Sequence, residues 1–250
     1  MKRSVPWIAL ALLACSAGAS ASEWLRWTTA SLPDVPAFCC AAPGGAIAVA
    51  CKLEGGNAVY GHFDAAPRSD RLQVYARYDA DVLAEVRVYD GACAVDAASP
   101  VRDLGALDAQ TSLIRLLGPT ADSRRAAQDR LVAVALHPGE RADDWLLRRS
   151  REGAREERRD AWFWLGQRLG ARVEPLVRAA LPTARSDLRE HLVFVLSRMP
   201  EPAAVDALVA LVEDRSLDRG LRGRALFWLA QSADARACAY LDRALAPTGR

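Results

Sequence analysis

The sequence predicts an α+β protein in which a small antiparallel β-sheet, held by disulfides, precedes an all-α array of three to four helical hairpins. Apolar residues alternate with a period of two before residue 105 and recur with a helical period after it. Four of the six cysteines lie within residues 39–93, and one pattern repeats three times in the second half. We therefore expect a signal peptide over residues 1–21, a β domain over residues 22–105 and a helical array over residues 106–250.

The composition is that of a folded protein with a balanced charge. The 250 residues are 51% hydrophobic and 26% charged, which excludes disorder as the dominant state. Once Lys2 and Arg3 of the leader are left out, basic and acidic residues are equal in number. Nucleic acid binding needs a surplus of cations, so we expect no nucleic acid partner.

The leader predicts export. Lys2 and Arg3 precede the short apolar run 5–14, and Ala19-Ser20-Ala21 offers a small-residue cleavage site. The run is too short to span a membrane, and we expect no transmembrane segment in the mature chain. In the alternative interpretation, the segment 12–15 resembles a bacterial lipobox and Cys15 carries a lipid. Both interpretations place the protein in the bacterial envelope or beyond it, as a periplasmic or secreted protein or as an outer-membrane lipoprotein.

The remaining cysteines fit an oxidising compartment. A disulfide between the neighbours Cys39 and Cys40 would be strained, so we expect one of them to pair with Cys51 and the other with Cys93, in either combination. No spacing typical of a metal site is present, and no metal or cofactor is predicted. Cys238 lies in a helical pattern and is predicted to be a small buried thiol.

Two β-hairpins are predicted before residue 105. The first joins a strand containing Ile47, Val49, Cys51 and Leu53 to a return strand over residues 58–63, and the second joins residues 72–78 to residues 82–89. The alternation in the last strand predicts one shared face for Val82, Ala84, Val86 and Val88.

Helices follow residue 105, and they repeat. Asp108 is a suitable N-cap for the first of them. The segments 158–167, 189–198 and 222–231 align with one another at spacings of 31 and 33 residues, and each precedes a second amphipathic stretch. A repeat of this length predicts stacked helical hairpins, because a single hairpin cannot bury its own apolar face.

These segments resemble HEAT repeats over roughly residues 120–246. The segment Asp187-Leu188-Arg189, with Leu192 and Leu196 on the first helix and Val205, Leu208 and Leu211 on the second, fits one unit. The ending of the first helices is similar to the short bacterial HEAT type related to phycobilin lyases. The resemblance implies a HEAT-like solenoid but no function, because a fold does not carry one.

Two side-chain sets recur at fixed repeat positions. The first is predicted to form the buried seam between hairpins and contains Phe163, Phe194 and Phe227 with Leu165, Leu196 and Leu229. The second contains Arg158, Arg189 and Arg222, which have two interpretations: a ladder of contacts between hairpins, with Asp187 and Asp206 as candidate partners, or a row of cations that binds an acidic peptide on the concave face.

No catalytic site is predicted. The three histidines are His62 in a strand, His137 as a cation near a helix C-terminus and His191 on an exposed helix flank, and no nucleophile, metal or phosphate motif accompanies them. We therefore expect a non-catalytic scaffold in the envelope that binds a protein or peptide. The alternatives are a lipid-anchored structural or assembly factor of the outer membrane and, less favoured, an enzyme with its site where the sheet meets the helices.

Overall fold

The computed structural model describes residues 23–33, 39–41, 48–54 and 69–245. Within these ranges the protein is a mixed structure with a small four-stranded sheet followed by helices. The predicted signal peptide, Cys15, the return strand over residues 58–63 and His62 lie outside the described residues.

The strands fall into one main sheet and two short ladders. They are β1 (Trp24–Ala30), β2 (Cys40–Ala41), β3 (Ala48–Val49), β4 (Cys51–Lys52), β5 (Arg71–Asp79), β6 (Val82–Asp90), β7 (Val95–Asp96) and β8 (Val101–Ala106). The main sheet has the order β6-β5-β1-β8, while β2 pairs with β3 and β4 pairs with β7. Strands β3 and β4 together cover the predicted strand around Val49 and Cys51.

The predicted hairpin of β5 and β6 is confirmed, but its buried face changes along β6. Arg77 pairs with Glu85 and Tyr78 pairs with Leu83, so Ala84 is an extra residue that forms a bulge. The bulge shifts the alternation by one residue. Leu83 therefore joins Val86 and Val88 in the core, and the prediction that Val82 and Ala84 share that face is wrong.

The prediction of a purely antiparallel sheet is also wrong. Strand β1 pairs with β5 in the antiparallel sense but with β8 in the parallel sense, and neither β1 nor β8 was predicted. As an inner strand, β1 is buried on both faces. Trp24 packs into a small cluster on one side of the sheet, and Trp27 packs into the main core on the other.

The small cluster contains both predicted disulfides. Cys39 pairs with Cys93 and Cys40 pairs with Cys51, which confirms the expected partners and settles their combination. Leu53, Tyr75 and Tyr89 complete the apolar packing on this face of the sheet. A small layer of this kind buries little surface, so the two crosslinks are a large part of its stability.

The helices occupy the rest of the described chain. They are α1 (Ala109–Leu116), α2 (Arg124–Ala135), α3 (Glu140–Glu152), α4 (Arg155–Leu169), α5 (Glu174–Ala180), α6 (Ser186–Ser197), α7 (Ala203–Glu213), α8 (Arg219–Leu229) and α9 (Ala235–Leu245). A 3₁₀ turn (Gly170–Val173) precedes α5. The predicted N-cap of α1 is confirmed, since the backbone N–H of Thr111 donates to the Asp108 carboxylate over 2.9 Å.

The helices pack in two sets. Each of α2, α4, α6 and α8 contacts the next member of that series, and α3, α7 and α9 lie against α2, α6 and α8. One apolar core runs from the inner face of the sheet through these helices. The prediction for Cys238 is wrong: Ala237 is the residue of α9 that enters the core, and its neighbour Cys238, about 100° further round the helix, is exposed.

Candidate functional site

The most prominent surface feature is a row of aromatic rings across α4, α6 and α8, formed by Phe163, Phe194, Phe227 and Trp228 and hereafter called the aromatic row. The rings of Phe163 and Phe194 are stacked, with centroids 6.3 Å apart. Trp228 lies 5.2 Å from Phe194 and 5.2 Å from Phe227. The row is therefore a continuous set of ring contacts that spans three helices.

The aromatic row is partly open to solvent, so the predicted burial of its phenylalanines is wrong. Phe227 is 47% exposed, and Phe163 and Phe194 are only half-buried. Leu165, Leu196 and Leu229 are buried in the main core, as predicted. The difference follows from helix geometry: two residues along a helix correspond to about 200°, so a phenylalanine placed two residues before a core leucine lies on the opposite face.

Polar and charged groups surround the aromatic row. Beside Phe194 and Trp228 lies an open groove with a volume of about 570 Å³, which Arg159, Glu190 and Arg224 also line. Arg224 pairs with Glu190 over 2.7 Å, and its guanidinium lies 5.8 Å from the centre of the Phe227 ring. The charges of Arg224 and Glu190 beside the rings thus neutralise one another.

The indole N–H of Trp228 lies beneath this surface. It is buried and has no hydrogen-bond partner within the described part of the chain. A buried donor without an acceptor costs free energy.

All three of the predicted site arginines are half-buried. Arg189 on α6 pairs with Asp218 at the start of α8 over 2.9 Å. The Nε atoms of Arg189 and Arg222 are buried, and neither has a hydrogen-bond partner among the residues described. Arg158 donates to the backbone oxygen of Gly153, 3.1 Å away. The three arginines are therefore equally half-buried but differ in their contacts.

A ladder of ion pairs does join successive hairpins, but its partners differ from those proposed. Asp187 pairs with Arg155 over 2.6 Å, and Asp206 pairs with Arg236 over 3.2 Å. The hydrogen bond from Arg155 lowers the pKa of Asp187. Of the three arginines in the repeat pattern, Arg189 alone forms an ion pair of this ladder within the described chain.

His137 is a buried neutral side chain, and its prediction as a cation is wrong. Its exposed fraction is 0%, and burial lowers its pKa to about 4. Its Nδ1–H donates to the carbonyl of Ala133 over 2.7 Å. Nε2 accepts the hydroxyl proton of Ser112 over 2.6 Å, while Ser112 Oγ accepts the indole N–H of Trp27 over 2.7 Å.

In this arrangement the Ser112 hydroxyl and both ring nitrogens of His137 are hydrogen-bonded within the fold. Ser112 is also fully buried, and Nδ1 of His137 faces a backbone carbonyl where a catalytic histidine has a carboxylate. The contacts join β1, α1 and the end of α2, which indicates a role in holding the sheet against the helices.

The cation at the C-terminal end of α2 is Arg168. Its side chain is 2% exposed and pairs with Asp143 over 2.6 Å. It donates to the carbonyls of Ala135 and His137, both over 2.6 Å, and to that of Gly139 over 3.3 Å. One arginine of α4 therefore satisfies the free carbonyls where α2 ends and the chain turns into α3.

His191 is half-buried rather than fully exposed. Its Nε2 donates to the carbonyl of Arg159 over 2.8 Å, and its ring lies 5.6 Å from that of Phe194. Burial lowers the pKa of His191. This histidine supports the position of the aromatic row between α4 and α6.

The sequence matches no known family model and no curated protein. Within the described residues, no group of three or more His, Cys, Asp or Glu side chains is placed to hold a metal ion. None of the helices over these ranges is long and apolar enough to cross a membrane.

The burial of His137 leads to a testable pH dependence. The pKa of His137 in the folded protein lies below the ordinary value of 6.5. The contribution of the neutral side chain to the free energy of unfolding is therefore complete above pH 6.5 and is lost as the pH falls towards 4. We expect its share of the free energy of unfolding to fall by about 2 kcal/mol between pH 7.5 and pH 5. Urea unfolding of the wild type and of His137→Gln at both pH values measures this share. Equal pH dependence in the two proteins would contradict it.

Proposed function

We propose that this chain is an exported, non-catalytic scaffold of the bacterial envelope that binds a segment of another protein on the aromatic row. The observation that carries the proposal is the partly exposed row itself. Rows of large aromatic side chains are typical of binding hot spots, where a few residues contribute most of the affinity. Singly scattered apolar residues need no such explanation, but contiguous ones do.

We further propose that the helices form a HEAT-like solenoid. The successive contacts of α2, α4, α6 and α8 support this arrangement. Ion pairs between residues 30 to 34 positions apart, such as those of Arg155, Arg224 and Arg236, support it as well. A solenoid presents equivalent positions of successive hairpins on one surface, which suits the recognition of an extended segment.

Export is supported by the two disulfides and by the predicted leader. Disulfides persist in oxidising compartments such as the bacterial periplasm. The leader and its two cleavage alternatives stay predictions, and so does the binding of a partner on the concave face of the array. The aromatic row lies on the first helices of the hairpins, and this is the surface that we propose for the partner.

The proposal is tested by photo-crosslinking in the envelope of the native host. Gly223 is the attachment site, because a side chain added there meets no atom within 4 Å and the residue shares a groove with Phe227. We expect one discrete adduct. Phe227→Ala should reduce its yield at least tenfold, since removal of one aromatic hot spot costs about 2 kcal/mol or more of binding free energy.

Ile114→Ala is the matched control. Ile114 on α1 is 53% exposed, close to the value for Phe227, and is not part of the row. The control should leave the adduct unchanged, and neither substitution should shift the thermal midpoint by more than a few degrees. Equal losses in both variants, or an adduct that survives Phe227→Ala, would refute the assignment of the row.

A further inference from the structure

A second concave feature lies near the start of α4 and is rich in arginine. Its volume is about 500 Å³. The end of α3, the first turns of α4 and the loop before α6 meet there. Its lining contains one carboxylate, that of Asp187, and five guanidinium groups, those of Arg151, Arg155, Arg158, Arg159 and Arg185. We call this feature the arginine cavity.

Most of this positive charge has no counter-charge in the cavity. Arg155 pairs with Asp187, and Arg158 donates to a backbone carbonyl. Arg151, Arg159 and Arg185 form no ion pair with any residue that the structure describes. Several like charges in one concavity raise the local concentration of anions and speed their association. The cavity therefore favours a ligand with more than one negative group.

The inner wall of the arginine cavity is apolar. Leu147, Trp162 and Leu176 lie there, together with small alanine side chains of α5. Leu147 and Leu176 are only half-buried, so the wall offers apolar surface to a ligand. A ligand that fits both parts has anionic groups for the rim and an apolar group for the wall.

We propose that the arginine cavity binds an acidic peptide segment in which carboxylates flank an apolar side chain. The carboxylates contact Arg151, Arg159 and Arg185, and the apolar side chain contacts the wall at Leu147 and Leu176. A peptide fits better than a single anion because the cationic rim extends over three structural elements. The inference rests on the proposed function and adds to it the chemistry of a segment that the scaffold recognises.

The test uses fluorescence anisotropy with the mature protein, disulfides intact, and a labelled octapeptide that contains six glutamates and two leucines. Arg151→Glu combined with Arg185→Glu should weaken binding at least thirtyfold. Both residues are exposed, and neither lines the groove beside the aromatic row. The matched control, Arg141→Glu combined with Arg219→Glu, makes the same change in net charge at exposed positions outside both cavities. It should change the affinity less than threefold.

Two peptide comparisons and a competition with inorganic phosphate complete the test. Replacing glutamates by glutamines should abolish binding, and replacing the two leucines by serines should weaken it at least tenfold. Equal weakening by the two double variants would overturn the proposal, since net charge alone would then account for binding. Undiminished binding of the serine peptide, or full displacement by millimolar inorganic phosphate, would also overturn it, the latter in favour of a phosphate site.

The outcome separates this inference from the proposed function. Phe227→Ala should leave octapeptide binding unchanged, because Phe227 does not line the arginine cavity. Loss of the envelope adduct in Phe227→Ala with no octapeptide binding would refute the cavity assignment alone. Octapeptide binding without a row-dependent adduct would refute the aromatic row alone.

Discussion

Arg168→Met should lower the free energy of unfolding by about 2–3 kcal/mol, because several backbone carbonyls would lose their donor, while the remaining partner Asp143 is 28% exposed and can be solvated. The guanidinium is almost fully buried and contacts Asp143 together with the carbonyls of Ala135 and His137. Methionine fills a similar volume but donates no hydrogen bond, so these acceptors would lose their partner. Urea unfolding at pH 7.5 measures the loss.

Two further variants define the origin of the Arg168 effect. Arg172→Met is the control, because Arg172 is exposed and has no ion pair among the residues described; its effect should stay within about 0.5 kcal/mol. Asp143→Asn removes the charge of the partner but keeps the arginine on the carbonyls, and it should cost less than Arg168→Met. A loss below about 1 kcal/mol in Arg168→Met would show that water satisfies these carbonyls equally well.

Removal of the Cys39–Cys93 disulfide by Cys39→Ser combined with Cys93→Ser should cost about 4 kcal/mol. The sequence separation of this pair is 54 residues, and the constraint on the unfolded chain increases with the length of the closed loop. Cys40→Ser combined with Cys51→Ser opens a loop of 11 residues and should cost about 3 kcal/mol.

The comparison is made by urea unfolding without reductant, so that each variant keeps the other disulfide. With a reductant present, the wild type and both double variants should approach the same stability, since none of them then has a crosslink. A larger loss in the 40–51 variant than in the 39–93 variant would contradict the loop-length argument and would place the main effect in the native packing of the small cluster.

Local signals in the sequence predicted local features well. The turn between β5 and β6, the Asp108 cap and the run of helices after residue 105 all depend on neighbouring residues, and the structure contains them. The cysteine partners were also predictable, because strain excludes the Cys39–Cys40 bond. The sequence did not predict which of the two neighbours pairs with Cys51 and which with Cys93. Both combinations are equally good until the positions of the strands are known.

Features that depend on distant residues were missed. The parallel pair of β1 and β8 joins Trp24 to Val101, and no local pattern records such a partner. His137 lies at a helix end, as expected, but Ser112 and Trp27 cover it from other elements. The charge of a histidine at a helix end therefore cannot be predicted until the packing around it is known.

The candidate sites were only partly visible in the sequence. The repeat identified the positions of Phe163, Phe194 and Phe227 but not the helix face on which they lie. The core leucines lie two residues further along each helix, which corresponds to about 200° around the helix axis. A comparison of these angular positions could have identified the exposed row. The arginine cavity has no such signal, because the charges around residues 148–159 look like a solvated segment until Arg185 is brought beside them.

Helix α2 has a consequence for how the molecule opens. All six residues from Leu131 to Leu136 are buried, because the sheet covers one side of this region and the helices cover the other. The C-terminal half of α2 is thus apolar on every side and has no face that tolerates water. Detachment of the sheet would therefore expose the apolar core of the helical part to water. Unfolding of the helices would likewise expose the apolar inner face of the sheet. Unfolding is thus expected to be cooperative across the boundary near residue 105, with the C-terminal half of α2 as the last segment to exchange its amide hydrogens.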